Sequence, residues 1–157
     1  MSPAYDPHRP LSAEELEALV ARLRRGELGP VTGPFETLVG YRVGHDPEHG
    51  THLELEVAEQ HLSHYGIAHG GVTLVLLDTV GGVACFFRTP GLHRIATISL
   101  ACNFVRAVER GRVVATARLV HVGGSVAHVT MSLHERDFDG PLLATGSAAY
   151  RLFRARP

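Results

Sequence analysis

His61-Leu62-Ser63-His64-Tyr65-Gly66-Ile67-Ala68-His69-Gly70-Gly71 leads directly into an apolar run, Val72 to Phe87, whose only charged residue is Asp78. The first segment is small, polar and glycine-rich, so it reads as a turn. The second reads as a helix over roughly Val72 to Phe87. A helix this apolar is covered on most sides. Its lone carboxylate costs several kcal/mol to desolvate, unless it has a partner or a task. The turn also aims backbone N–H groups at whatever lies over the helix start. A base and an oxyanion site are therefore expected within one short segment. The bland alternatives are a carboxylate satisfied by Thr79 or an arginine, and a Gly70-Gly71 pair that only lets the helix pack closely.

Upstream of this segment, Ser12 followed three residues later by Glu15 forms a capping box. Leu16, Leu19, Val20 and Leu23 then recur at helical spacing, predicting an amphipathic helix from about Ala13 to Arg25. Met1 to Pro10 reads as a loosely packed arm, and Gly29-Pro30 and Gly33-Pro34 as a turn-rich connection. From Phe35 the period changes, and His52 to Ala58 alternates with a period of two. Strands are expected over Glu36 to Val43 and His52 to Ala58, joined by a hairpin turn at Asp46 to Gly50. Downstream of the apolar helix, four more strands are expected: Arg94 to Val105, Arg112 to Val122, Ala127 to Arg136 and Leu142 to Arg151. Short turns separate them, which predicts an antiparallel meander. A curved sheet wrapped around the helix is the economical way to bury it.

The chain has 157 residues, enough for one domain with a substantial core. Its formal net charge of −1 gives no basic face for nucleic acid. Eleven histidines and two cysteines show no metal-finger spacing, so no metal is expected. Cys85 and Cys102 lie in apolar surroundings and read as free buried thiols. Met1 to Pro10 lacks the apolar core of a signal peptide. No apolar run is expected to reach the ~20 residues of a membrane span. The expectation is a soluble cytoplasmic protein with no membrane partner.

His-Gly-Gly at 69–71, Gly66 three residues before the histidine, Asp78 nine after it, and the strands that follow resemble the hotdog-fold acyl-CoA thioesterases. Within them the pattern is most similar to the phenylacetate-degradation (PaaI-like) type. The resemblance covers about Phe35 to Phe153. It implies an α+β hotdog fold: a long central helix wrapped by a curved antiparallel sheet of about six strands. Residues 35–157 would form that domain, and residues 1–34 an additional arm and helix. It implies hydrolysis of acyl-CoA thioesters, with CoA thioester as substrate and no separate cofactor. It also implies a homodimeric catalytic unit, usually paired again into a homotetramer, with each site shared between subunits.

Carried onto this chain, the resemblance makes Asp78 the general base or nucleophile and Gly70 the backbone donor to the thioester carbonyl. His69 shapes that oxyanion site, and Thr97 stands where relatives hold the attacking water. Ser63 departs from the family, which often carries Asn there. His61 and His64 sit beside it as candidate substitutes at the mouth of the site. Gly71 allows close approach of substrate to the main chain. Gly123, Gly124 and Ser125 form a turn whose counterpart in relatives lies along the pantetheine or nucleotide. Arg88 and Arg106 are candidate partners of CoA phosphates. Asp78 lies about two turns into the helix, so a two-fold-related copy is the natural source of the carboxylate opposite each Gly70. A second reading on the same fold is a non-catalytic acyl-CoA-binding or sensing module. That module would keep the glycine turn without needing Asp78.

Overall fold

The structure is a computed structural model that describes residues 12–154 apart from 26, 28, 31, 32 and 90. The expected arm at Met1 to Pro10 lies outside the described residues. Along the chain run α1 (Ala13–Arg24), β1 (Gly29–Pro30), α2 (Pro34–Val39), β2 (Arg42–Asp46) and β3 (Gly50–Val57). A 3-10 turn at Glu59–His61 leads to α3 (Gly70–Arg88). The remaining strands are β4 (Leu92–Phe104), β5 (Gly111–Val122), β6 (Val126–Glu135) and β7 (Leu142–Arg154).

All strands belong to one antiparallel sheet in the order β1-β2-β3-β5-β6-β7-β4. Six of them are long, and β1 adds only a two-residue bridge at one edge. The sheet wraps α3. Leu76, Leu77 and Val80 of α3 are buried to 1% exposure or less. They pack in one core with Val43, Leu53, Leu55, Val113, Ala115, Val129, Leu133 and Tyr150. Burying each such aliphatic side chain stabilises the fold by about 1.5–3 kcal/mol. The N-terminal helix joins the same core through Leu23, and its Ser12–Glu15 capping box is formed.

Three sequence expectations need correction. The residues expected as a strand from Glu36 to Val43 begin as α2. Pro34 occupies the first helical turn, Glu36 complements the helix N-terminus, and Gly40 closes it with φ 81°. Phe35 and Leu38, three residues apart, both face solvent, so no buried face distinguishes this short helix from a strand in the sequence. Second, the last four strands are not a simple meander. β4 pairs with β7 from Leu92↔Arg154 to Phe104↔Ala144, at the edge away from β5. The six residues 105–110 then pass β7 and β6 to reach β5. Three strand spacings are about 14 Å, and six extended residues reach about 20 Å. This detour puts sheet on both flanks of α3.

Third, α3 is 19 residues long, three more than expected, and two of these are Gly70 and Gly71, which lie inside its first turn. By length and composition alone it is long and apolar enough to cross a membrane, with a mean hydropathy of 1.8. Half of that window is buried inside this fold.

Candidate active site

The turn before α3 is built from its own polar groups. Ser63 donates its hydroxyl to the Ile67 carbonyl (2.9 Å) and accepts from the Tyr65 amide (3.3 Å). Gly66 takes φ 78°, a conformation that favours glycine. His61 is buried at 5% exposure. Its Nδ1 accepts from the Ala58 amide (2.9 Å), which leaves Nε2 to donate to the Val39 carbonyl (2.8 Å). His61 and Ser63 therefore brace the turn. His64 lies at the exposed tip, its ring against Tyr65.

His69 is the N-cap of α3, and its Nδ1 accepts from the Gly71 amide at 3.0 Å. That bond uses one of the first-turn donors which a helix cannot satisfy itself. The Gly70 amide is another, and no acceptor among the described residues takes it. The helix dipole adds partial positive charge at the same point. A Cβ on Gly70 would stand 3.5 Å from the Phe104 ring, an ordinary contact. Phe104 and Leu74 are exposed beside this helix start.

Asp78 is half-buried eight residues along α3, on the same side of the helix as Gly70 and Leu74. Thr97, on β4, donates to Asp78 Oδ1 at 2.8 Å. Tyr150, on β7 and fully buried, donates to the Asp78 backbone carbonyl at 2.8 Å and lies 3.4 Å from Oδ1. No donor among the described residues reaches Oδ2. The alternative partner Thr79 is instead bonded to Tyr41. Burial raises the Tyr150 hydroxyl well above the usual phenol range, and the Asp78 charge adds to the effect.

Along the helix axis, Asp78 is about 12 Å from Gly70. One protomer therefore brings Thr97 to Asp78 and His69 to Gly70 and Gly71, but does not bring these two groups together. The Gly123-Gly124-Ser125 turn caps the β5–β6 hairpin. Arg154 donates to the Gly124 carbonyl (2.6 Å), and the Leu152 amide to the Ser125 carbonyl (2.9 Å). The turn follows the cross-sheet row Val122–Ala127–Tyr150–Thr97, so it borders the level of Asp78.

The two arginines lie at opposite ends of α3. Arg88 lines a cleft of about 530 Å³ with His45, His49 and Arg118. Arg106 lines another of about 500 Å³ with Arg110, Arg112 and Arg136. Neither cleft is lined by Asp78, Thr97 or Gly70.

Sequence reading missed Tyr150. Its signal was Gly81-Gly82 in the middle of an apolar helix, where each glycine costs about 1 kcal/mol relative to alanine. A Cβ at Gly81 would overlap the Tyr150 hydroxyl, and one at Gly82 would press on Ile95.

The architecture superposes on a thioesterase from Haemophilus influenzae with a TM-score of 0.71, covering 93% of each chain at 17% identity. The fold is the hotdog fold. The PaaI protein of Escherichia coli, from the phenylacetic acid degradation operon, shares the hotdog arrangement with a TM-score of 0.65 and 20% identity. That likeness covers 74% of this chain and 82% of that one. At such identities the likeness speaks for the fold alone. In sequence, residues 65–137 match the thioesterase superfamily profile. A 59-residue stretch is 32% identical to the 1,4-dihydroxy-2-naphthoyl-CoA hydrolase of Escherichia coli, covering 38% of this chain and 43% of that one. The chain spans 43–65% of the length of the first four relatives it matches.

Proposed function

We propose that the protein hydrolyses acyl-CoA thioesters to free acid and CoA, at a site shared between two protomers. The observation that carries this reading is the Thr97–Asp78 hydrogen bond on the same side of a helix whose first-turn Gly70 amide has no internal acceptor among the described residues. The superfamily match and the CoA-ester hydrolase among the relatives support the same chemistry.

In this mechanism the thioester carbonyl oxygen accepts from the Gly70 N–H at the positive end of α3. One such donor is worth about 3–4 kcal/mol in the transition state. Asp78 of the other protomer takes a proton from water as the water oxygen bonds to the carbonyl carbon. The C–S bond then breaks, and the CoA sulfur leaves as thiolate, which takes up the proton. Attack by the carboxylate itself, through an anhydride that water then opens, uses the same geometry. His69 holds the helix start in shape by accepting from Gly71.

Two features favour a shared site. The separation of Gly70 and Asp78 exceeds the size of a thioester group. In addition, β4 pairs only with β7 and leaves its other edge without a strand partner among the described residues. A long open edge is a template for a second chain. Two copies joined there would form a homodimer, which can pair again into a tetramer. The preferred acyl group, and membership of the phenylacetate-degradation type, rest on the sequence resemblance.

A panel of acetyl-, hexanoyl-, palmitoyl-, benzoyl- and phenylacetyl-CoA, tested with wild type and Asp78→Asn, decides the reading. The expected result is turnover of at least one ester by wild type and a loss of at least about a hundredfold in the variant. Equal turnover by both proteins removes Asp78 from the mechanism. Binding of the esters without any turnover favours a sensing module.

A further inference from the structure

Tyr150 has no place in the chemistry above, yet it touches Asp78 twice. Its hydroxyl is fully buried, donates to the Asp78 backbone carbonyl at 2.8 Å and lies 3.4 Å from Oδ1. Thr97 donates to the same Oδ1. Gly81 makes this approach possible, because any side chain there would occupy the space of the hydroxyl. Two glycines in mid-helix are unfavourable for α3, so the notch costs stability that only a close contact recovers.

We propose that Tyr150 is a positioning residue for Asp78: its hydroxyl, seated in the Gly81 notch, donates to the Asp78 carbonyl and fixes the main chain, so that the Thr97 bond to Oδ1 leaves Oδ2 to work on the substrate. The proposal rests on the reading of Asp78 as the base. With its carbonyl held by Tyr150 and its Oδ1 held by Thr97, the Asp78 side chain has little freedom to rotate. Its second oxygen is then presented in one direction. Thr97, read from sequence as a holder of water, becomes an anchor of the carboxylate. The groups that face this centre are few. Among the described residues, β4 contributes the Thr97 hydroxyl and β7 the Tyr150 phenol. No arginine or histidine among them is bonded to Asp78.

The test is kcat and KM on a turned-over acyl-CoA, beside Tm, for Tyr150→Phe, Gly81→Ala and the double variant. Tyr150→Phe keeps the ring and removes only the donor. Its kcat is expected to fall roughly tenfold with KM within about twofold. Gly81→Ala displaces the hydroxyl and is expected to produce the same fall in kcat. Added to Tyr150→Phe, it lowers kcat by less than about a further threefold, because the contact it disrupts is already gone.

A lower Tm with an unchanged kcat in Tyr150→Phe would reduce Tyr150 to a packing residue and overturn the proposal, whether or not Gly81→Ala folds. Asp78→Asn separates the two claims. If Asp78→Asn is dead while Tyr150→Phe matches wild type, the base stands and the positioning role falls. If Asp78→Asn is active, or wild type turns over no ester, both fall together.

Discussion

Thr97 Oγ1 donates to Asp78 Oδ1 at 2.8 Å, joining the outermost strand of the sheet to the only acidic side chain of the central helix. The bond sets the direction of the carboxylate, and through the Tyr150–Ala127–Val122 row it ties that direction to three further strands. Hydrogen bonds to charged groups contribute about 1.5–3 kcal/mol. Removing one is therefore a measurable change in a reaction that depends on where the carboxylate points. Thr97→Ala is expected to lower kcat ten- to a hundredfold, while Thr97→Ser, which keeps the hydroxyl, stays within about fivefold. Steady-state kinetics on one acyl-CoA check this. Equal activity of the alanine and serine variants would contradict it.

Gly70 offers a test of the amide donor without loss of the helix. His69 has φ −62° and ψ 137°, a backbone conformation that tolerates a following proline. Proline at the first helical position costs no helical hydrogen bond. Gly70→Pro is thus expected to fold with a near-wild-type circular dichroism spectrum, while kcat falls about 10²–10³-fold. Gly70→Ala retains the amide, and its Cβ meets only the Phe104 ring at an ordinary distance. Its loss should be at least tenfold smaller than that of the proline variant.

Ser63 should behave as a brace. Its hydroxyl bonds to Ile67 and Tyr65 within the turn. Ser63→Ala is expected to lose about 1 kcal/mol of stability in urea unfolding, with kcat within about threefold of wild type. A hundredfold loss of kcat at unchanged stability would restore Ser63 to direct contact with substrate or water.

Alkaline pH should unfold the protein. Burial pushes the Cys85 thiol up from 9.0 to about 11 and the Tyr41 phenol up from 10.0 to about 12, the latter with a contribution from Glu36. Each group keeps its proton in the folded state at a pH where the unfolded chain releases it. Their contribution is therefore complete below pH 9 and is lost progressively between about pH 9 and 12. Tm is expected to decline across that window, and Tyr41→Phe to flatten the decline. An unchanged slope in that variant would remove Tyr41 from the linkage.

Much of this was legible in the residues themselves. Ser12 and Glu15 announced α1, and the alternation Leu53-Leu55-Val57 announced β3. The contrast between the 61–71 turn and the apolar run after it announced the buried helix. Thr97 and Asp78 were both named, yet nothing local links a strand hydroxyl to a helix carboxylate 19 positions upstream. α2 is too short to show a period: Phe35 and Leu38 stand three apart and both point to solvent, so no buried face marks it as helix or strand. The edge position of β4 was invisible because pairing with β7 depends on a crossover, and turn residues alone cannot distinguish a crossover from a hairpin. Tyr150 was missed for the same reason: its partner, Gly81, looks like a weakness in a helix until the tyrosine is set against it.

Hydrolysis by this route needs the carboxylate of one protomer beside the Gly70 amide of another. Complementation between two dead variants puts that requirement to the test. Asp78→Asn and Gly70→Pro chains are purified, then unfolded and refolded together in equal amounts, and acyl-CoA hydrolysis is measured. Random pairing makes half of the dimers hybrids, and each hybrid has one intact site of two if the interface is two-fold. Recovery to about a quarter of wild-type activity is expected from that pairing. A mixture that forms hybrid dimers yet stays as inactive as either variant alone would contradict the shared site.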